Sequence, residues 1–230
     1  MTSHPPPFRA RLKSAEVQPS ASEQALFDLL LEAADTVEPR PTLRAAGGWV
    51  RDALLGTASP DIDIALERST GEAFALALAA HVAAKGGGPA PSVVVIEANP
   101  EQSKHLATAR TKVLGQWLDL VNLRSEEYAS GSRIPVVREG TPLQDALRRD
   151  FTVNALFYNL HSRSVEDFTG RGLADLRRGL IKTPLPPKET FLDDPLRVLR
   201  ALRFGARLGF DLDDDLLVAA ADEEVRFGMT

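Results

Sequence analysis

The reading of this chain turns on Gly47-Gly-Trp-Val-Arg51-Asp-Ala-Leu-Leu-Gly56, a short break, and then Asp61-Ile-Asp63-Ile-Ala-Leu66. Glycines at 47 and 48 let the backbone take positive φ and approach a ligand with no Cβ in the way. The run after them reads as a short helix closed by Gly56. Its opening amides lack intrahelical acceptors, so an anion is favoured there, with Arg51 as a fixed charge one turn in. Asp61 and Asp63 fall in a β-branched, apolar run that reads as a strand, where i and i+2 share a face. Two carboxylates aimed at one point repel unless a hard cation such as Mg²⁺ lies between them. A lone Gly-Gly is commonly just a turn, and a lone Asp-x-Asp a solvated loop or helix cap. In this order and spacing the two are better explained as a phosphate seat facing a dicarboxylate metal site, which implies chemistry on a nucleoside triphosphate.

Three further motifs follow in order: Arg148-Arg-Asp150-Phe-Thr-Val-Asn154-Ala, Glu166-Asp-Phe-Thr-Gly170 with Asp175-Leu beyond it, and Asp193-Asp-Pro-Leu-Arg197-Val-Leu-Arg200-Ala-Leu-Arg203-Phe. With the first they resemble the class II nucleotidyltransferases, the CCA-adding tRNA nucleotidyltransferases and bacterial poly(A) polymerases. The resemblance spans roughly Leu43 to Phe210, and Trp49 and the stretch from Ser103 to Arg149 look more like eukaryotic than bacterial members. It implies an α/β (α+β) fold: a polymerase-β-like head with a mixed, largely antiparallel sheet and flanking helices, then an all-α neck. It also implies addition of C and A to tRNA 3′ ends from CTP and ATP, with Mg²⁺ held by Asp61 and Asp63. Gly47, Gly48, Arg51, Arg149, Arg200 and Arg203 would hold phosphates and sugar. Asp194 and Arg197 match the family's nucleotide-selecting motif, where many members have Glu-Asp in place of Asp193-Asp194.

The residues outside the first stretch carry readings of their own. Asp119, inside Trp117-Leu-Asp-Leu-Val-Asn-Leu123, is disfavoured in a strand. It either accepts a hydrogen bond from a neighbour or joins the metal pair as a third catalytic carboxylate, matching an acidic strand position of the family. Two adjacent arginines are ordinarily a solvated face; beside Asp150 and Asn154, Arg149 belongs to a donor–acceptor set suited to a triphosphate and a ribose 2′-hydroxyl. Asp194 before Pro195 fits a helix N-cap, and with Arg197 it fits either a surface ion pair worth only ~0.5 kcal/mol or a base-reading pair. A carboxylate accepts from the amino group of cytosine or adenine while a guanidinium donates to the adjacent ring nitrogen. Guanine and uracil present the reverse order and leave buried polar groups unpaired. His105 reads as a surface residue.

Composition sets the outer limits. The chain has 230 residues, no cysteine and a net charge of −5, which excludes a disulfide framework and a thiol nucleophile and argues against indiscriminate nucleic-acid binding. Any RNA surface is therefore a local basic patch. Residues 1–22, rich in Pro and Ser, read as a disordered tail; 23–183 as the catalytic head; 184–230 as a neck cut short, with Leu216 and Val218 lacking full packing and a second chain supplying the missing body. Cytoplasmic or nuclear residence is expected, and the early arginines also allow a mitochondrial presequence. Helices are predicted at Glu23–Val37 capped by Ser22, at Thr70–Lys85, and at Asp194–Leu208 with a leucine face through Leu196, Leu199 and Leu202. A strand is predicted at Ser92–Glu97, a hairpin turns at Gly115-Gln116, and Asn122–Pro142 reads as a long loop. Poly(A) polymerase, a catalytically silent nucleotide- or RNA-binding remnant and a metal-dependent glycosyltransferase are the rival functions. The last would not need Arg148–Asn154 or the Asp194/Arg197 pair.

Overall fold

A computed structural model describes residues 10–14, 16–86, 90–96, 108–127 and 135–229. Its first half runs α1 (Ala21–Ala34), β1 (Thr42–Ala46), α2 (Gly48–Leu55), β2 (Asp61–Glu67), α3 (Gly71–Ala84), β3 (Val93–Ile96), β4 (Thr108–Val113) and β5 (Gln116–Asn122). Then follow β6 (Arg124–Glu127), β7 (Val136–Glu139), α4 (Pro142–Leu147), β8 (Phe157–Asn159), β9 (Ser164–Glu166), α5 (Gly172–Arg178) and β10 (Leu180–Ile181). The last part holds α6 (Pro187–Asp193), α7 (Leu196–Leu208), β11 (Asp211–Leu212), α8 (Asp214–Ala221) and α9 (Glu223–Gly228).

The main sheet has seven strands in the order β3-β4-β5-β2-β1-β8-β9. Every pairing in it is antiparallel except β2 with β5, so the mixed, largely antiparallel sheet expected above is present. Alternation along β2 does the sorting: Ile62 and Ile64 are fully buried, while Asp61 and Asp63 reach solvent on the other face. Beneath the isoleucines lie Leu26, Phe27 and Leu30 of α1 and Phe74 and Leu78 of α3, in one core that continues into Val198, Phe204, Leu208 and Leu216. At about 25 cal/mol per Å² of apolar surface, burying such side chains is the main stabilising term.

Local chemistry sets the boundaries. α1 starts two residues earlier than predicted because Ser20, not Ser22, caps it in a capping box with Glu23. Thr70 caps α3 as its position suggests. The β4–β5 hairpin turns at Leu114 and Gly115, both at positive φ, one residue before the predicted turn. The loop expected over Asn122–Pro142 contains an antiparallel ribbon, with β6 pairing β7 from Arg124↔Glu139 to Glu127↔Val136. Four-residue strands rich in charge give no period-two apolar signal, so the sequence hid them. His105 lies outside the described residues.

One more expectation changes, and the orientation of α7 is resolved. Part of the tail predicted to be disordered lies against the body: Ala10 N–H donates to Leu208 O at 2.8 Å, Lys13 N–H to Leu54 O at 3.0 Å, and Val17 is buried. In α7 the leucine face is the outer one. Val198, Ala201, Phe204, Gly205 and Leu208 are buried, while Leu196, Leu199 and Leu202 are 53–59% exposed. Helical spacing yields two candidate apolar faces here, and the aromatic ring decides between them: Phe204 packs edge-on against Phe151 at 5.8 Å. Leu216, expected to be short of packing, is buried, whereas Val218 is exposed.

Candidate active site

The diglycine stretch folds as its sequence demands. Gly47 sits at φ 65°, ψ −116°, ahead of α2, and Gly56 ends that helix in the left-handed region. A Cβ on Gly47 would lie 2.6 Å from Arg149 Nη1 and 3.3 Å from Asn154 O. The turn is therefore pressed against the Arg148–Asn154 motif, and Gly47 N–H donates to Leu156 O at 2.9 Å. Between them opens a cleft of about 520 Å³. Its walls bring together Gly47, Gly48 and Arg51 from the first motif, Arg149, Asp150 and Asn154 from the second, and Asp194, Arg197 and Arg200 from the last, with Asp63 at its edge. Arg203 is not among them; its guanidinium lies over the Phe204 ring at 5.2 Å. Arg207, one turn on, lines the cleft instead.

Most charges in the cleft are held by named partners. Arg51 donates to Asp52 Oδ1 at 2.8 Å and to Asn154 Oδ1, and its guanidinium covers Phe204 at 5.1 Å. Asp150 Oδ1 accepts from Phe151 N–H at 2.8 Å and Asn154 Nδ2 at 3.0 Å, while Oδ2 takes a two-pronged contact from Arg200 at 2.9 and 2.6 Å. Arg197 is buried and donates to Arg148 O at 2.8 Å, with Nε 3.8 Å from Asp194 Oδ2. Asp194 Oδ1 also accepts from Leu196 N–H at 3.0 Å. Asp194 thus contacts both the first turn of α7 and the Arg197 guanidinium.

The sequence reading missed Asp145. This carboxylate is almost wholly buried. Its Oδ1 accepts from Arg148 at 2.9 and 2.6 Å and from Arg124 N–H at 3.2 Å, and its Oδ2 from Arg149 at 3.0 and 2.8 Å. Burial alone would raise its pKa. The charges and hydrogen bonds of Arg149 and Arg148 outweigh that and hold it below the usual carboxylate range. Arg148 also pairs with Glu126 on the β6–β7 ribbon at 3.0 Å. A lone aspartate on a short helix carries no sequence signal, but Asp145 lies three residues before Arg148 and four before Arg149, one helical turn from both. The Glu166–Asp175 motif proves to be scaffolding: Asp175 accepts from Thr152 Oγ1 at 2.7 Å, and Glu166 from Arg44 at 2.6 Å.

On the open sheet face Asp63 is the strand partner of Asp119, and Asp61 that of Trp117. Burial, then the neighbouring Asp119 and Asp61 carboxylates, push the Asp63 pKa up against the pull of Arg149. Asp119 is raised too, by burial first and then by Asp61, against Arg110. That is the electrostatics of a place short of positive charge, and a cation already stands in it. Arg110 Nη2 is 3.2 Å from Asp61 Oδ1, and its Nε is 3.6 Å from Asp119 Oδ1. Hard oxygen donors raised by burial and by one another's charge suit a divalent ion such as Mg²⁺. Among the described residues, however, no three His, Cys, Asp or Glu side chains are gathered closely enough to form a complete ligand set. Asp119 therefore stands beside the pair without closing on it.

A sheet with two carboxylates on its open face, beside an arginine-lined cleft behind a diglycine turn, defines a nucleotidyltransferase head. Residues 43–182 match the family model described as "Poly A polymerase head domain", and the chain belongs to that family. It is 49% identical over 224 residues to the mitochondrial CCA tRNA nucleotidyltransferase of Saccharomyces cerevisiae, covering 93% of this chain and 41% of that protein. With a tRNA nucleotidyltransferase of Schizosaccharomyces pombe it shares 42% identity over 216 residues, covering 92% of this chain and 43% of the relative. The chain thus spans less than half the length of these curated relatives. A solved CCA-adding enzyme in an apo form superposes with a TM-score of 0.71 at 31% identity, over 88% of this chain and 44% of that one. The ATP complex of a CCA-adding enzyme superposes at 0.65 and 29% identity, over 88% of this chain and 41% of that one.

Proposed function

We propose that this chain carries the catalytic head of a tRNA nucleotidyltransferase that adds C and A to the tRNA 3′ end from CTP and ATP. The observation that carries the reading is the convergence of three motifs, the first separated from the second by 103 residues between Arg51 and Asn154, on one cleft that Asp63 also lines. The Gly47-Gly48 turn and the start of α2 receive phosphate oxygens, with Arg51 and Arg149 as counter-charges. Asn154 and Asp150 face the ribose. Asp194 and Arg197 read the base, the first accepting from its amino group and the second donating to its ring nitrogen. The 3′-hydroxyl oxygen of the RNA gives up its proton to water and bonds to the α-phosphorus, the bond from that phosphorus to the bridging oxygen breaks, and pyrophosphate leaves with the electron pair. Mg²⁺ held by Asp61 and Asp63, with Asp119 beside them, would lower the pKa of the attacking hydroxyl and offset charge developing on the phosphate. Arg200, fixed by Asp150, would hold a phosphate in the same cleft.

Relatives named as A-adding enzymes are also similar, one from Halalkalibacterium halodurans at 34% identity over 179 residues. Incorporation of CTP separates the two activities. Incubation with a tRNA lacking CCA and each labelled triphosphate in turn tests the proposal: C and A transfer supports it, A alone favours the A-adding reading, and no transfer leaves a nucleotide-binding head completed by another chain. The mitochondrial names of two fungal relatives support that compartment over cytosol or nucleus, and fractionation of cells producing the chain checks it.

A further inference from the structure

Beside the carboxylate pair the sheet face continues into a surface with no part in nucleotide binding. Across β2, β5 and β4 the register lines up Asp63, Asp119 and Arg110 in one row, and Asp61, Trp117 and Lys112 in the next. Residues two apart in a strand share a face, so all six side chains stand on one side of the sheet. Trp117 is 40% exposed, unusual for so large a ring, and two cations from β4 attend it, Arg110 at 4.9 Å and Lys112 at 5.6 Å from its centre. On β3 the next partner, Val94, is also exposed.

We propose that this surface is the seat of the acceptor: Trp117 stacks a base of the single-stranded RNA 3′ end, while Arg110 and Lys112 hold its phosphates. The inference rests on the nucleotidyltransferase reading and adds where the second substrate lies. Sheet order supplies the direction. The cleft for the triphosphate is on the β1 and β2 side, and Asp63 is its last residue toward β5. In phosphoryl transfer the attacking and leaving oxygens are roughly in line. With pyrophosphate leaving into the arginine cleft, the hydroxyl must arrive from beyond the carboxylates, over β5 and β4. What waits there is an aromatic ring flanked by cations, the combination that binds single-stranded nucleic acid without reading its sequence. The chain is acidic as a whole, with net charge −5, so a polyanion is drawn to such a local patch rather than to the body.

The test uses the ring's own fluorescence. The chain has two tryptophans, and Trp49 is buried at 2% exposure, so quenching by a short oligoribonucleotide matching a tRNA 3′ end reports on Trp117. Trp117→Ala should abolish the quenching and raise the KM for RNA about tenfold, the scale of one lost base stack. CTP affinity by calorimetry should stay unchanged. Trp117→Phe should restore most of the RNA affinity, which a merely structural role for indole would not. Lys112→Ala should flatten the salt dependence of RNA binding by about one phosphate contact. Absence of quenching, an unchanged KM in Trp117→Ala, or no rescue by phenylalanine overturns the proposal. A chain that transfers no nucleotide yet quenches with RNA would overturn the catalytic reading and leave the platform standing.

Discussion

Replacing Asp145 by asparagine keeps the shape of the side chain and removes its charge. In the native protein that charge neutralises two guanidinium groups through four hydrogen bonds of 2.6–3.0 Å and takes a fifth from Arg124 N–H at 3.2 Å. Removing one partner of a buried ion pair costs about 3–5 kcal/mol. Arg148 and Arg149 are partly exposed and keep second acceptors in Glu126 and Asn154 O, so the lower end, about 3 kcal/mol, applies. That is a large part of the ~5–15 kcal/mol that holds a typical domain together. Urea denaturation followed by circular dichroism measures it at pH 7. Because the native Asp145 pKa is lowered, its contribution is fully present above the unfolded value near 4 and fades as pH falls below that toward the native one. The gap between wild type and variant should therefore narrow only under about pH 4. Triphosphate binding should weaken as well, since Arg149 loses its anchor beside Gly47. A loss below about 1 kcal/mol, the net worth of an ordinary hydrogen bond, with unchanged nucleotide affinity, would show that water replaces the carboxylate freely and that Asp145 organises nothing.

Asp63→Asn should abolish Mg²⁺-dependent transfer and yet raise the melting temperature of the metal-free protein at pH 7. The raised native pKa of Asp63 means its charge opposes folding above that pKa, and the gain should vanish in acid below the ordinary carboxylate range. Gly47→Ala forces a side chain into φ 65° and against Arg149 and the Asn154 carbonyl. It should cost about 1–3 kcal/mol and raise the KM for both CTP and ATP, seen by thermal melting and steady-state kinetics. Asp150→Ala should narrow the preference for ATP over dATP; intact discrimination with uniformly weaker binding would reassign Asp150 to holding Arg200 alone.

What the sequence made legible was whatever depends on short-range patterns. The diglycine turn, the alternation that sends Ile62 and Ile64 inward and Asp61 and Asp63 outward, and the Thr70 cap each rest on a few neighbouring residues. The cleft was legible as a list of motifs, though not as a geometry: nothing local says that Arg207 rather than Arg203 faces it, because both lie on the basic side of α7 and Phe204 decides between them. Asp145 was missed because a buried aspartate and a solvated one look alike until the partners are placed. The β6–β7 ribbon was missed because its pairing, not its composition, makes it a strand pair. That the leucine face of α7 turns outward was not legible, because amphipathicity fixes the angle between faces and leaves open which one turns inward.

The span of the contacts around Gly47 bears on how the molecule folds. The β2–β5–β4 face closes across about fifty residues, as the Arg110–Asp61 contact shows, whereas the phosphate seat closes across 103, from Arg51 to Asn154. Contacts of long sequence separation pay more loop-closure entropy and form late. During synthesis the carboxylate face can therefore assemble while Asn154 and α7 are still to come. The nucleotide cleft therefore forms later than the carboxylate face and, on partial unfolding, is expected to open before it. A bound triphosphate stabilises only the fully closed chain. On the proposed function, CTP and ATP would then act on that step of folding as well as on the reaction, favouring molecules whose two distant halves of the seat have met.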